Sequence, residues 1–377
     1  MNKAVAEKLL LELAAIPTAA GREGAVADFI ERWVSARSRL ELRRDRAGNL
    51  YVSRRDFKKA CRKKAPLFVT AHLDHPAFVV TAVKGRRLEL DFLGGVHDKY
   101  FKGAALEVFT PDLARAFPAR VLSLDPEAKP DKKAKALLSR PAPGVAPGCL
   151  ARWKFPAPAI KKGLAHLPAC DDLACAAAAL LAYDKISKDG RFAHAALLFT
   201  RAEEVGFVGA IAAARSGAIP KNARLVCLEC SRSFPHDSPI GAGPIVRVGD
   251  KRSVFSPELT NALSDLAAEY QKKHPAFCYQ RKLMAGGSCE ATGFAAYGFK
   301  SSCLCLPLGN YHNMADVDAV AAGRKKARVA PEFISAADFH GLTELLAAVV
   351  AGLDAPRQPL KRALEKNWSS RRGLLAA

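Results

Sequence analysis

The spacing of apolar residues predicts a chain of alternating helices and short buried strands. Leu9, Leu10, Leu13 and Ile16 recur at helical intervals near the start, so the first segment is predicted to be an amphipathic helix. Short, mostly apolar runs such as 67–71 are typical of strands buried on both faces. The further predicted helices are 23–38, 173–186, 208–216, 256–273 and 335–353, and the strands are 40–43, 49–52, 67–71, 194–200, 224–228 and 302–306.

The pattern changes between residues 76 and 165. Strand-like pieces alternate there with Gly, Pro and Lys, and no segment has helical periodicity. The lysine-rich run 129–135 is predicted to be a solvated charged segment. We therefore predict an α/β domain formed by residues 1–75 and 166–377, interrupted by a β-rich domain of residues 76–165. The predicted strands of this insertion are 78–83, 87–92, 105–109 and 120–124.

Acidic residues and histidines lie mostly just beyond the apolar strands. Open α/β sheets place their functional sites at this edge, so these residues are candidates for a common site. Two imidazoles and several carboxylates suit two divalent metals that share a water molecule. The candidates are His72 and Asp74 after strand 67–71, Asp171 and Asp172 at the start of helix 173–186, Glu203 and Glu204 after strand 194–200, Glu229 after strand 224–228, and His312 after strand 302–306.

Each of these signals also has a purely structural interpretation. His72 and Asp74 could form a polar strand end, and the paired aspartates at 171 and 172 could cap a helix. The paired glutamates at 203 and 204 could lie in a solvated loop. Only their joint occurrence favours a metal site.

Charge and composition leave one rival open. The formal net charge is +21 and the sequence pI is about 9.7, which would suit a protein that binds nucleic acid or a membrane surface. The longest apolar run, 173–183, is shorter than the roughly 18 residues that a membrane span needs. Glu7, Lys8 and Glu12 interrupt the first apolar run, so it does not read as a signal-peptide core, and we expect a cytoplasmic protein without a membrane partner.

Several ordered segments resemble one known family. They are RDRAGNL, AHLDHPAF, ACDDLAC, TRAEEVGFVGA, HDSPIGAGP, AGGSC and NYHNMADV. In this order they resemble the tetrahedral-aminopeptidase and glutamyl-aminopeptidase family of dinuclear zinc exopeptidases. The resemblance implies a mixed sheet with helices on both faces, interrupted by a small barrel-like domain. It also implies a homo-oligomer that hydrolyses N-terminal residues from short peptides through a metal-bridging hydroxide.

The resemblance also assigns roles to residues. It implies two divalent metal ions per chain, zinc or alternatively cobalt. His72 and Glu229 would hold one metal, Glu204 and His312 the other, and Asp171 would bridge them, while Glu203 would be the general base and Asp74 would orient the first metal site.

The chain departs from the family pattern at several positions. Cys175 replaces the small residue expected after the paired aspartates, and His75 stands where an acid is common. Glu229 stands where aminopeptidases typically have an aspartate, and a glutamate at this position also occurs in related carboxypeptidases. The acid expected after Gly286-Gly287 is displaced, which gives Ser288-Cys289-Glu290. An amidase, deacylase or carboxypeptidase therefore remains an alternative.

The distribution of the basic residues along the chain argues against a nucleic-acid-binding site. They cluster at 54–64, 129–135 and 357–372, outside the acid-rich candidate site, so we expect nucleic acid to be an unlikely partner. An inactive basic binding protein on the same fold would instead bind no metal and would bind nucleic acid in a salt-dependent way.

Overall fold

The computed structural model describes residues 2–355 and 358–375. Arg357, the first residue of the expected basic tail, lies outside these ranges. The described residues form a mixed α/β fold with a small closed barrel, which confirms the expected fold class. The strands are β1 (Leu40–Arg44), β2 (Leu50–Arg54), β3 (Leu67–His72), β4 (Ala77–Lys84), β5 (Arg87–Leu93), β6 (Ala105–Phe109), β7 (Ala116–Asp125), β8 (Lys132–Leu138), β9 (Leu150–Trp153), β10 (Ala159–Lys161), β11 (Leu164–Leu167), β12 (Ala195–Thr200), β13 (Arg224–Arg232), β14 (Ile245–Gly249), β15 (Gln280–Leu283), β16 (Lys300–Leu308) and β17 (Glu332–Ser335).

Eight strands form the main sheet, in the order β1-β2-β12-β3-β13-β16-β14-β15. The central strands β12, β3, β13 and β16 run parallel, whereas β2 and β14 flank them antiparallel. Every residue of β3 and β12 is buried, as expected for parallel strands covered on both faces. The carboxyl ends of these four strands therefore meet at one edge of the sheet.

Helices cover both faces of this sheet. Helices within residues 3–35, 173–186, 257–273 and 336–352 pack on one face, and two shorter helices, 208–215 and 290–296, pack on the other. The helix that begins at Leu173 is rich in alanine, which allows its backbone to lie close to the sheet. The helices are α1 (Lys3–Ala14), α2 (Gly24–Ser35), α3 (Phe57–Ala60), α4 (Leu173–Ile186), α5 (Val208–Arg215), α6 (Pro257–Lys273), α7 (Glu290–Ala296), α8 (Val317–Ala321), α9 (Ala336–Gly352) and α10 (Pro359–Arg371).

Strands β4 to β9 close into a barrel in the order β4-β5-β8-β7-β6-β9. Phe78, Phe92, Phe101 and Trp153 fill it with edge-to-face and tilted ring contacts. The lysines of the segment 129–135 are exposed or half-buried, as expected of a solvated charge run, but β8 begins at Lys132 and buries Ala134 between them. The boundaries of the inserted domain stay a prediction.

A second sheet of three strands joins distant parts of the chain. Strand β11 pairs with β10 on one side and with β17 on the other. This pairing sets Leu167 opposite Glu332 and brings the segment before α4 next to β17. The short strands carried no clear sequence pattern, and their position becomes important at the site.

No described helix is long and apolar enough to cross a membrane. Helix α10, which contains most of the basic tail, has no buried residue.

Helix α5 lies so close to the loop after β12 that adding one methyl group at Gly209 should lower the stability of the fold. A Cβ at Gly209 would lie 2.3 Å from the Arg201 carbonyl oxygen, so we expect Gly209→Ala to lower the free energy of unfolding by about 2–3 kcal/mol. The matched control is Gly293→Ala in α7, where the nearest atom is 3.7 Å away. The control should change stability by less than about 1 kcal/mol in the same urea titrations. Equal stability of the two variants would contradict this packing.

Candidate metal centre

The candidate residues meet at the carboxyl ends of the parallel strands. His72 ends β3, and the Glu203-Glu204 pair follows β12 after a short turn. Glu229 was expected to follow its strand, but β13 continues to Arg232 and Glu229 lies within it. Because β3 pairs with β13 only as far as Cys227, the Glu229 side chain can reach the space beyond the end of β3.

Asp171 lies at the centre of the site between two imidazoles. Its Oδ1 is 3.3 Å from Nε2 of His72, and its Oδ2 is 3.7 Å from Nε2 of His312. Glu229 Oε1 lies 3.8 Å from the His72 nitrogen, and Glu204 Oε1 lies 3.3 Å from the His312 nitrogen. The structure thus brings together all five side chains expected to bind metal, in two groups that share Asp171.

Both imidazoles are held by main-chain carbonyl groups on the far side of the ring. Nδ1 of His72 lies 3.1 Å from the Asp74 carbonyl oxygen, and Nδ1 of His312 lies 2.6 Å from that of Gly95. A proton on each Nδ1 would be donated to these carbonyls and would leave Nε2 with its lone pair facing the carboxylates. This is the arrangement that metal-binding histidines require.

Asp74 acts on the loop that carries the two glutamates. Its carboxylate accepts hydrogen bonds from the backbone N–H groups of Glu203, at 2.9 Å, and Glu204, at 3.1 Å. The Asp74 side chain is fully buried and also lies 3.6 Å from Nδ1 of His72. It therefore fixes the positions of neighbouring carboxylates rather than pointing into the site itself.

Glu203 lies beside the two groups and has an unusual environment. Its Oε2 is 4.0 Å from Nε2 of His72. Burial raises the pKa of the Glu203 carboxyl, and the negative charges of Glu229 and Glu204 raise it further, although His72 acts in the opposite direction. This environment suits a carboxylate that must take up and release a proton.

The donor atoms fit divalent cations. Asp171 Oδ1 and Glu204 Oε1 are buried without a hydrogen-bond partner among the described residues. Burial would lower the pKa of His312, but Glu204 and Asp171 reverse this and raise it, which shows how strongly negative the site is. Imidazole nitrogens with carboxylate oxygens are a ligand set that suits zinc and its neighbours in the transition series.

Glu332 is a site residue that sequence reasoning missed. Its Oε2 accepts hydrogen bonds from the backbone N–H groups of Cys170, at 2.7 Å, and Asp171, at 3.1 Å, while its Oε1 accepts one from the N–H of His312, at 2.8 Å. Burial raises the pKa of Glu332 to about 7. One acid in a short strand carries no motif, so only the pairing of β11 with β17 reveals it.

His75 joins the same framework from the other side. Its Nδ1 lies 2.6 Å from the Asp171 carbonyl oxygen, and its Nε2 lies 3.0 Å from Oδ1 of Asn313. The departure from the family pattern at this position thus supplies a contact that holds the backbone of Asp171.

The displaced acid Glu290 does not line the site cavity. It begins α7, is buried, and its Oε2 is 3.4 Å from the hydroxyl of Thr70 in β3. Burial raises the pKa of Glu290 to about 7. In the Ser288-Cys289-Glu290 segment the carboxyl of Glu290 is therefore buried against β3, while Ser288 lines the cavity.

A cavity of about 420 Å³ opens onto the site. Its wall includes four of the carboxylates and also Arg232 and Arg247, so some basic residues do lie near the chemistry. Arg247 is buried, and its guanidinium donates to the Ser231 hydroxyl at 3.3 Å and the Gly287 carbonyl at 3.1 Å. The cavity thus combines a negative end with a positive wall.

A comparison with protein-family profiles matches the M42 glutamyl aminopeptidase family over residues 48–325. The chain belongs to this family. The family expected from the sequence motifs is thereby confirmed, and membership makes the chain part of an aminopeptidase family of hydrolases. A search of curated proteins finds no match.

Solved structures agree with this fold. The TET1 peptidase of Pyrococcus horikoshii has a TM-score of 0.70 at 18% identity, over 92% of this chain and 99% of its own. An aminopeptidase of the archaeon Desulfurococcus kamchatkensis has a TM-score of 0.72 at 17% identity, over 92% and 95%. An M18-family aminopeptidase of Thermotoga maritima has a TM-score of 0.62 at 14% identity, over 92% and 96%. At these identities the likeness concerns the fold.

The contacts of Glu332 predict a specific effect on metal affinity. Glu332→Ala leaves three buried N–H groups without their acceptor, so the affinity for Zn²⁺ should fall about 10–100-fold. Isothermal titration of the folded, metal-free protein measures this change. The control is Glu344→Ala, because Glu344 is an exposed glutamate that contacts only the Tyr270 hydroxyl among the hydrogen bonds described. Equal zinc affinity of both variants would show that Glu332 does not support the site.

Proposed function

We propose that this protein is an aminopeptidase with a dinuclear metal site that removes N-terminal residues from short peptides. The observation that carries the proposal is the position of Asp171, whose two carboxylate oxygens face different histidines. In this proposal His72 and Glu229 would hold one metal ion, His312 and Glu204 would hold the other, and Asp171 would be a ligand shared by both. Zinc is the metal we propose, with cobalt as the alternative.

The reaction needs a proton acceptor beside the attacking water. Two bound cations would supply Lewis acidity, which acidifies water and polarises the scissile carbonyl. Glu203 accepts a proton from the attacking water on its carboxylate and later delivers it to the nitrogen of the leaving amine as the C–N bond breaks. The backbone N–H of Glu203 donates a hydrogen bond to the Asp74 carboxylate, and this bond keeps the Glu203 backbone in place during the transfer.

The carboxylate-rich end of the cavity supports the choice of an aminopeptidase. A free substrate N-terminus is cationic at neutral pH or coordinates metal when neutral, and both forms suit this end. Glu229 and the altered Ser288-Cys289-Glu290 segment favour the alternatives, namely an amidase, a deacylase or a carboxypeptidase on the same site.

We also propose that the chain forms a homo-oligomer in the cytoplasm. The structurally similar TET1 peptidase of Pyrococcus horikoshii assembles into a tetrahedron or a large octahedral shell. This likeness supports the proposal that the present chain also forms a homo-oligomer. All ten cysteines are free, which suits a reducing compartment.

The two adjacent glutamates predict different kinetic effects. Glu203→Gln should lower kcat on aminoacyl-anilides about 10²–10⁴-fold while the bound metal remains unchanged, because the variant loses only the proton acceptor. Glu204→Gln should instead lower the metal content, because it weakens a ligand. Elemental analysis and steady-state kinetics of both variants separate these effects. Full activity of Glu203→Gln with metal bound, or activity of the wild type after metal removal, would overturn the mechanism.

Substrate termini separate the proposed function from its alternatives. We expect a tripeptide with a free N-terminus to be cleaved at least about tenfold faster than its N-acetylated form, because acetylation removes the free amine that an aminopeptidase must recognise. Liquid chromatography of the products also identifies which bond is cut. Preference for the acetylated peptide would favour a deacylase or carboxypeptidase. Absence of both turnover and metal binding, with salt-dependent binding of nucleic acid, would favour the basic binding protein.

A further inference from the structure

Three buried side chains form a second cluster of ligand atoms next to the proposed dinuclear site. One carboxylate oxygen of Asp172 and the sulfur atoms of Cys175 and Cys230 all lie within 4.8 Å of one another. None of the three residues is more than 2% exposed. The proposed mechanism uses none of them, so the cluster needs a separate explanation.

The Asp172 carboxylate is the least satisfied group in this cluster. Both of its oxygens are buried without a hydrogen-bond partner among the described residues. Asp172 is the N-cap residue of α4, but its side chain makes no capping hydrogen bond to the helix. A buried carboxylate without partners is costly, and a cation is one group that removes this cost.

The two sulfur atoms have the spacing of ligands on one metal ion. Cys175 Sγ lies 3.9 Å from Cys230 Sγ. Two thiolates on a tetrahedral zinc ion, each at about 2.3 Å, lie about 3.8 Å apart. This distance is that of a contact between two free thiols, so both sulfur atoms already have the separation that a shared metal ion requires.

We propose that Asp172, Cys175 and Cys230 form an additional site for a thiophilic divalent cation such as Zn²⁺. Cys230 lines the cavity, which gives the cation and a water ligand a route to the site. Binding replaces two S–H bonds by two sulfur–metal bonds and releases both protons to solvent, with no change in oxidation state. The three protein ligands leave one position for water.

The proposed ion would hold two parts of the dinuclear site together. Asp172 and Cys175 belong to the start of α4, and Cys230 belongs to β13. Asp171 immediately precedes Asp172, and Glu229 immediately precedes Cys230, so the ion would fix the spacing of two proposed ligands. Its role would be positioning, because the proposed reaction assigns no step to Asp172, Cys175 or Cys230.

Cobalt substitution tests this proposal with a signal that the dinuclear site cannot give. The proposed dinuclear ligands are only nitrogen and oxygen atoms, so an intense thiolate-to-cobalt charge-transfer absorption in the near ultraviolet reports sulfur ligation alone. We expect this band in the Co²⁺-loaded wild-type protein and its loss in Cys175→Ser and Cys230→Ser, with about one metal ion fewer per chain. The control Cys227→Ser should keep the band, because Cys227 is buried in the same strand but packs on the opposite face.

A second measurement needs no variant. X-ray absorption at the zinc edge of the native protein should show sulfur scatterers at about 2.3 Å besides nitrogen and oxygen. A Co²⁺-loaded, catalytically active protein without the charge-transfer band would overturn this site and leave the proposed function intact. A Cys175–Cys230 disulfide in protein prepared without reductant would also overturn it. Conversely, the band in a protein without peptidase activity would support this site and contradict the proposed function.

Discussion

Repulsion among buried carboxylates is the constraint on which the site depends. Asp171, Glu203, Glu204 and Glu229 converge within a few ångströms of two imidazoles, and the nearest arginines contact other groups. Without positive charge this cluster would have to bind protons or expand. The backbone has little room to relax, because Glu229 lies within the central strand β13 and the backbone N–H groups of Asp171, Glu203 and Glu204 are held by hydrogen bonds. The fold therefore creates a demand for cations before any substrate arrives.

The fold meets part of this demand with main-chain hydrogen bonds. Asp74 binds the N–H groups of the paired glutamates, and Glu332 binds those of Cys170, Asp171 and His312. Glu332 lies in β17 and Asp74 follows β3, and the carboxylate of each accepts hydrogen bonds from backbone N–H groups. The orientation of the proposed ligands is thus set by two carboxylates that are not themselves proposed to bind metal.

The sequence predicted the parallel strands and most candidate residues, because continuous apolar runs followed by acids and histidines are a strong local signal. Its motifs also identified the family. It could not reveal Glu332 or the Gly95 carbonyl, because both depend on contacts between distant segments: the pairing of β11 with β17, and the approach of a loop beyond β5 to His312. It placed Glu229 after its strand, because Glu229 and Cys230 interrupt an apolar pattern that backbone pairing nevertheless continues. Long-range pairing is invisible to local periodicity.

The peptide groups on both sides of Asp171 are each held by a buried side chain. Glu332 accepts its N–H, and His75 contacts its carbonyl oxygen, so the main chain of this residue is fastened from both directions. Only its two side-chain torsions remain free to adapt. In the proposed dinuclear site, the main chain would therefore limit how far Asp171 can move to adapt to the two ions. Exchange of one metal for another in that proposed site would then change reactivity while the Asp171 main chain keeps its position.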